Sequence, residues 1–298
     1  MLLLDQPKRL STDIDIIVKP NTDIDYYINK AREIFPFIDA EENVRTGTNK
    51  IQKRHFRFKY RSPKNGRDVT ILLDILFEDM YYESTTERPI ENEFLLTEGK
   101  NLSVLIPNIN SILGDKLTAF APHTTGILFE INKELEIIKQ LFDCAALFDA
   151  MNNYHEVCST YRKIVKTELE YRGLLLSAED VLIDTIRACM CIASRGQLYT
   201  NEYSYFKDGI SRLRNHIIGG KLSCEIAGVY ASKILYLTSA MLTGLESITK
   251  LTSDSLDLTQ KIDLPNPKSF SYLRVVNPLA YGYIFEASKL LKGIEFTV

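Results

Sequence analysis

The spacing of apolar residues changes once along this chain, and that change limits the folds open to it. Residues 10–110 carry short β-type runs separated by turn residues, whereas residues 130–250 carry long patterns of helical period with few prolines. Mixed α/β sequence followed by all-α sequence predicts an α+β protein. Its N-terminal α/β domain would be built on a mixed sheet over residues 1–125, and a C-terminal α-helical bundle would follow over 126–298. At 298 residues the chain is about twice the usual domain length, which agrees with two units.

The first strand is expected at Ser11–Val18, where alternation puts Ser11, Asp13, Asp15 and Ile17 on one face and Ile14, Ile16 and Val18 on the other. Asp23 to Phe35 reads as a helix with Asp23 as N-cap. Asn49 to Arg61 and Val69 to Phe77 read as two strands of a hairpin around the turn signal Pro63-Lys64-Asn65-Gly66. A helix is expected from Leu113 to Phe120, interrupted by 122–126. Further helices are expected over 133–151, 154–172, 177–195, 203–218, 223–246 and 279–291, with 252–278 irregular.

A net charge of −3 excludes a globally basic nucleic-acid coat but leaves room for a local basic patch. The five cysteines are odd in number and form no Cys-x-x-Cys pair, so neither a disulfide framework nor a zinc module is expected. Free thiols in a reducing compartment are the expectation. No apolar run approaches the ~18–20 residues of a transmembrane helix. Met1 to Leu4 is too short for a signal peptide, so a cytoplasmic protein is expected.

The sharpest chemical feature is Ser11-x-Asp13-x-Asp15. Two carboxylates on one side of a strand repel each other unless a cation or water screens them. Mg²⁺ takes carboxylate oxygens and leaves positions open for substrate phosphates. The plain alternative is an edge strand with two solvated acids. Asp74 adds weight to the metal reading, because a lone acid within Val69–Phe77 is costly without a partner. Three carboxylates on adjacent strands can hold two ions about 4 Å apart, and Asp74 can also take a proton from an attacking hydroxyl. The plain alternative here is a salt bridge to a strand arginine.

Arg9-Leu10-Ser11-Thr12-Asp13-Ile14-Asp15 resembles the Arg-x-Ser-x-Asp-x-Asp signature of the AbiEii/AbiGii-type nucleotidyltransferases, within the DNA polymerase β-like superfamily. Leu72–Leu76 resembles the strand of the third carboxylate. Gly114–Ala119 resembles the family's lysine motif, and Lys139–Asp143 its Arg/Lys-Asp-x-x-Asp helix. The resemblance implies Asp13, Asp15 and Asp74 as Mg²⁺ ligands and catalytic residues. It implies Arg9, Ser11 and Lys116 at the triphosphate of an NTP, with Asp143 in support. It also implies transfer of NMP to a hydroxyl acceptor, with RNA and especially tRNA favoured, and a toxin–antitoxin or abortive-infection setting with a cognate antitoxin. The superfamily's Gly-Gly-Ser/Thr motif has no counterpart in residues 1–12, which contain no glycine. The alternative expectation is therefore a degenerate member that binds RNA, nucleotide or a protein without turnover.

Residues 45–67 hold nine of the 36 Lys and Arg and no acid. His55, Arg57, Lys59 and Arg61 would share one strand face, able to track an RNA backbone or simply to guard a sheet edge by charge. Phe56, Phe58 and Tyr60 alternate with them as expected core residues. Lys139 and Asp143 are spaced for an i,i+4 contact. His123 is expected to be a loop residue bonded locally, and Cys189-x-Cys191 to point to two helix faces.

Overall fold

The computed structural model describes residues 4, 6–11, 13–43, 52–95, 99–294 and 296, with the backbone alone at 255. Thr12, Arg45, Lys50 and the expected start of the second strand at Asn49 lie outside these residues. The chain belongs to the α+β class and forms two compact units, Leu10–Tyr81 and Met1–Arg9 with Tyr82–Val298.

The smaller unit is a four-stranded mixed sheet with one helix. Its strands are β1 (Asp13–Val18), β2 (Phe37–Glu42), β3 (Lys53–Arg61) and β4 (Asp68–Phe77), in the order β1-β4-β3-β2. β1 runs parallel to β4, and the other pairs are antiparallel. The β3–β4 hairpin closes as its turn residues predict, with Ser62 N–H donating to the Arg67 carbonyl at 2.8 Å. Helix α1 (Ile24–Ala31) starts at the expected cap, where the Asp23 side chain accepts from Tyr26 N–H. It ends earlier than the apolar pattern suggested. Phe35 precedes Pro36, a position that disfavours helical backbone, and the chain turns into β2 instead. Ile24 and Ile28 of α1 pack with Phe56, Phe58, Ile75 and Phe77 to form this unit's core. Phe56 and Phe58 are therefore core residues, as alternation predicts.

The larger unit opens with the antiparallel pair β5 (Thr85–Pro89) and β6 (Ser103–Pro107). Helices α2 (Ile109–Ala119), α3 (Glu134–Ala150), α4 (Tyr154–Arg172), α5 (Ala178–Ala193), α6 (Tyr203–Leu213), α7 (Cys224–Leu242), α8 (Leu273–Val276) and α9 (Pro278–Leu290) follow. α2 starts earlier than expected because Asn108 caps it, its side chain accepting from Ser111 N–H. Ser177 and Asp180 form a full capping box at the start of α5. α7 packs against α3, α5 and α9. It is apolar on nearly every side, as a helix at the centre of a core must be.

Gly114 sets how closely α2 approaches α4. A Cβ there would lie 2.6 Å from the Val157 carbonyl oxygen and 2.9 Å from the Tyr161 amide nitrogen. That contact places the Asp115–Lys116 turn of α2.

Candidate functional site

In the sheet unit, cross-strand register places the acidic residues. Asp15 stands opposite Asp74, and Asp13 opposite Leu72, across the parallel β1–β4 pair. Adjacent strands lie about 4.8 Å apart and paired residues project to the same face. Asp13, Asp15 and Asp74 therefore share the face that α1 does not cover, while Ile16, Leu73 and Ile75 turn to the core.

The same register continues into β3. His55 stands opposite Asp74, Arg57 opposite Leu72 and Lys59 opposite Thr70. The basic strand face and the carboxylates thus lie on one side of one sheet. Asp74 is partnered by a histidine rather than an arginine: His55 Nδ1 lies 2.8 Å from Asp74 Oδ1. Sequence reasoning missed this pairing, because only the β3–β4 register reveals it.

Three cations of the basic run meet acids. Arg54, on the opposite face, bonds Glu42 and Asp25, each at 2.7 Å, and these acids hold its guanidinium firmly protonated. Lys59 lies 3.7 Å from Glu41, and Arg61 lies 3.1 Å from Asp68. Arg57 is exposed. Ser11 Oγ donates to the Asp13 carbonyl at 3.5 Å.

Among the described residues, no three His, Cys, Asp or Glu side chains gather closely enough to hold a metal ion by themselves. The carboxylate face still suits Mg²⁺, which is commonly held by one or two carboxylates together with substrate phosphates. Its donors are hard oxygens, with Asp15 and Asp74 side by side.

In the helical unit, a second constellation forms around Asp143 of α3. Arg9 Nε and Nη2 donate to its two oxygens at 2.7 Å each, and Lys116 Nζ approaches Oδ2 at 3.0 Å. Gln140 Oε1 accepts from the same ammonium at 3.3 Å. Asp143 is only 14% exposed. Burial pushes its carboxyl upward, but the Arg9 bonds and the Lys116 charge outweigh it and hold the group below its usual range. Lys139 is not the partner suggested by i,i+4 spacing. It lies 3.9 Å from Glu136, because α3 turns Asp143 toward Arg9 and Lys116.

His123 is not bonded locally. In the loop after α2, its Nδ1 lies 2.7 Å from Asp184 of α5 and its Nε2 lies 3.2 Å from Glu202. The hydrogen bonds to Asp184 and Glu202 raise its pKa to about 9. Glu156 of α4, also missed from sequence, accepts from Ser84, Asn108, Asn110 and Ser111 at 2.6–3.0 Å. Cys189 and Cys191 are both buried.

No curated protein matches the chain. A family model described as "Nucleotidyl transferase AbiEii toxin, Type IV TA system" matches residues 1–214. This stretch contains the paired carboxylates of β1 and β4 and the Lys116 and Asp143 helices. Matched over most of its length by this model, the chain belongs to the AbiEii family of nucleotidyltransferase toxins.

Proposed function

We propose that this protein is a Mg²⁺-dependent nucleotidyltransferase that moves NMP from an NTP to a hydroxyl of RNA, with tRNA the favoured acceptor. The observation that carries the reading is the in-register pair Asp15 and Asp74, with Asp13 two residues away on the same face. Residues 1–125 form the catalytic division in this reading, and 126–298 the supporting bundle.

Each residue has a stated task. Asp13 and Asp15 bind the metal, and Asp74 binds metal or takes the proton of the acceptor hydroxyl. Arg9, Ser11 and Lys116 are assigned to the triphosphate, and Asp143 orders Arg9 and Lys116. The acceptor oxygen attacks the α-phosphorus in line, the bond from the α-phosphorus to its bridging oxygen breaks, and pyrophosphate leaves. When bound, Mg²⁺ would neutralise charge building on the phosphoryl oxygens. The residues' own contribution is positioning and charge, the main requirement in such transfers.

The basic face supports a nucleic-acid acceptor. Arg57, Lys59 and Arg61 follow one side of β3 beside the carboxylates. Phosphate contacts of this kind make affinity fall steeply with salt. The five free cysteines suit a cytoplasmic setting. Among the described residues, no helix is long and apolar enough to cross a membrane. The family's type IV toxin–antitoxin description supports a cognate antitoxin as partner.

The test is incubation with Mg²⁺, total tRNA and each α-labelled NTP in turn. Label should enter RNA and be lost in Asp13→Ala and Asp74→Ala proteins that keep the wild-type circular dichroism spectrum. Full labelling by both variants would refute the assignment. Arg57→Gln should weaken tRNA binding and make its salt dependence shallower. Labelling of protein or of a small molecule instead of RNA would overturn the acceptor class.

A further inference from the structure

His55 separates itself from the basic residues with which it shares a strand face. Lys59 and Arg61 meet acids on neighbouring segments, at Glu41 and Asp68. His55 instead meets the carboxylate that the proposed chemistry needs, with Nδ1 2.8 Å from Asp74 Oδ1. His55 is the sheltered member of the pair, its side chain 16% exposed against 37% for Asp74. The contact is fixed by the backbone, because the two residues are direct partners in the antiparallel β3–β4 ladder. Asp15 is the partner of Asp74 on the other side. One row across three strands therefore reads Asp15, Asp74, His55.

A carboxylate that ligates a metal only accepts hydrogen bonds, so in that state His55 Nδ1 is the donor of this contact. The bond engages one oxygen of Asp74 and limits rotation of its carboxylate. A carboxylate on a short side chain, placed beside two others of like charge, would otherwise swing away from them. Carboxylates that ligate metals are themselves commonly hydrogen-bonded, and losing that outer contact costs roughly 10- to 100-fold in metal affinity or activity.

We propose that His55 is a positioning residue for Asp74. It holds Oδ1 through Nδ1–H and leaves Oδ2 for a divalent cation that Asp15 and substrate phosphates would help to hold. This inference rests on the metal-site reading of Asp13, Asp15 and Asp74. It gives His55 a different task from Arg57, Lys59 and Arg61, although all four alternate along one strand.

The experiment is titration of the full chain with Mn²⁺ in the presence of each α,β-non-hydrolysable NTP analogue in turn, followed by electron paramagnetic resonance and calorimetry, without RNA. Wild type, Asp15→Asn, His55→Phe, His55→Asn and Lys289→Gln are compared, with thermal melting of each. His55→Phe should weaken Mn²⁺ binding about 10-fold or more. His55→Asn should restore affinity to within about threefold, because its amide N–H can donate where Nδ1 did. Lys289→Gln, in the helical unit, should bind as wild type does. A residue serving only to pack the strand would show altered melting without this phenylalanine–asparagine split.

Unchanged or tighter Mn²⁺ binding in His55→Phe, with binding lost in Asp15→Asn, would overturn the role of His55 and leave the carboxylate site standing. Equal loss in His55→Phe and His55→Asn would also overturn it. Mn²⁺ binding absent from wild type, or unaffected by Asp15→Asn, would refute the metal site and the inference with it.

Discussion

Arg9 and Asp143, 134 residues apart in the chain, meet through two hydrogen bonds of 2.7 Å each. The fork of a guanidinium matches the two oxygens of a carboxylate, which makes this the strongest geometry open to the pair. Lys116 adds a third contact to the same carboxylate at 3.0 Å. Asp143→Asn should therefore destabilise the fold by about 3–5 kcal/mol, since it leaves two cations facing a neutral amide in a sheltered position. Urea unfolding measures this directly. The pH sign follows from the lowered carboxyl of Asp143. Its contribution is complete above the unfolded value of about 3.9 and is lost as pH falls through the lower folded value. Wild type should lose stability more steeply than Asp143→Asn below about pH 4.

His123 carries the opposite sign. Its folded pKa is raised to about 9 by Asp184 and Glu202. The unfolded value is about 6.5, so its stabilising contribution is complete below that pH and declines as pH rises through about 9. The melting temperature of wild type should fall between pH 7 and pH 10 by more than that of His123→Gln. Parallel curves for the two proteins would refute the contribution.

Gly114 has no room for a side chain. Its Cβ would stand 2.6 Å from the Val157 carbonyl oxygen, which belongs to the backbone of a packed helix and cannot rotate aside. Gly114→Ala should cost about 1–3 kcal/mol, the usual range for overpacking, despite alanine's better helix propensity. Guanidinium unfolding would show whether the clash or the propensity dominates.

Glu156 draws together the segment before β5, the start of α2 and the start of α4. Ser84, Asn108, Asn110 and Ser111 all donate to its carboxylate. Burial pushes this carboxyl up, but these four bonds hold it below its usual range. Glu156→Ala should cost about 3 kcal/mol, because removing one acceptor orphans several buried donors at ~1–3 kcal/mol each. Glu156→Gln keeps one carbonyl acceptor and should cost less. Hydrogen exchange should show the early turns of α2 and α4 loosening together in Glu156→Ala.

Much of the architecture was legible in local pattern. Alternation marked β1 and β3, the turn signal after β3 marked β4 as its hairpin partner, and the cap at Asp23 marked a helix start that the structure contains. β2, β5 and β6 were not legible. β2 is Phe-Ile-Asp-Ala-Glu-Glu, an edge strand whose acids obscure its alternation and pair with Arg54 and Lys59 instead. β5 contains Glu87, Arg88 and Pro89, and among the described residues its one strand partner is β6. Edge and two-stranded elements take much of their stability from their partner, so their own residues carry a weak signal.

The sequence by itself determined the faces on which the candidate residues lie: Asp13 with Asp15, Asp74 within an apolar strand, and a β3 face of alternating charge. Side-chain direction in a strand is a local property with a period of two, so it can be read from neighbours in the chain. Only the tertiary structure decided the pairings. It set Asp74 between Asp15 and His55, matched Arg9 to Asp143, and turned Lys139 away to Glu136. Those choices depend on strand register and helix packing, which the chain settles by burying two separate cores at once, and no short window of sequence contains that balance.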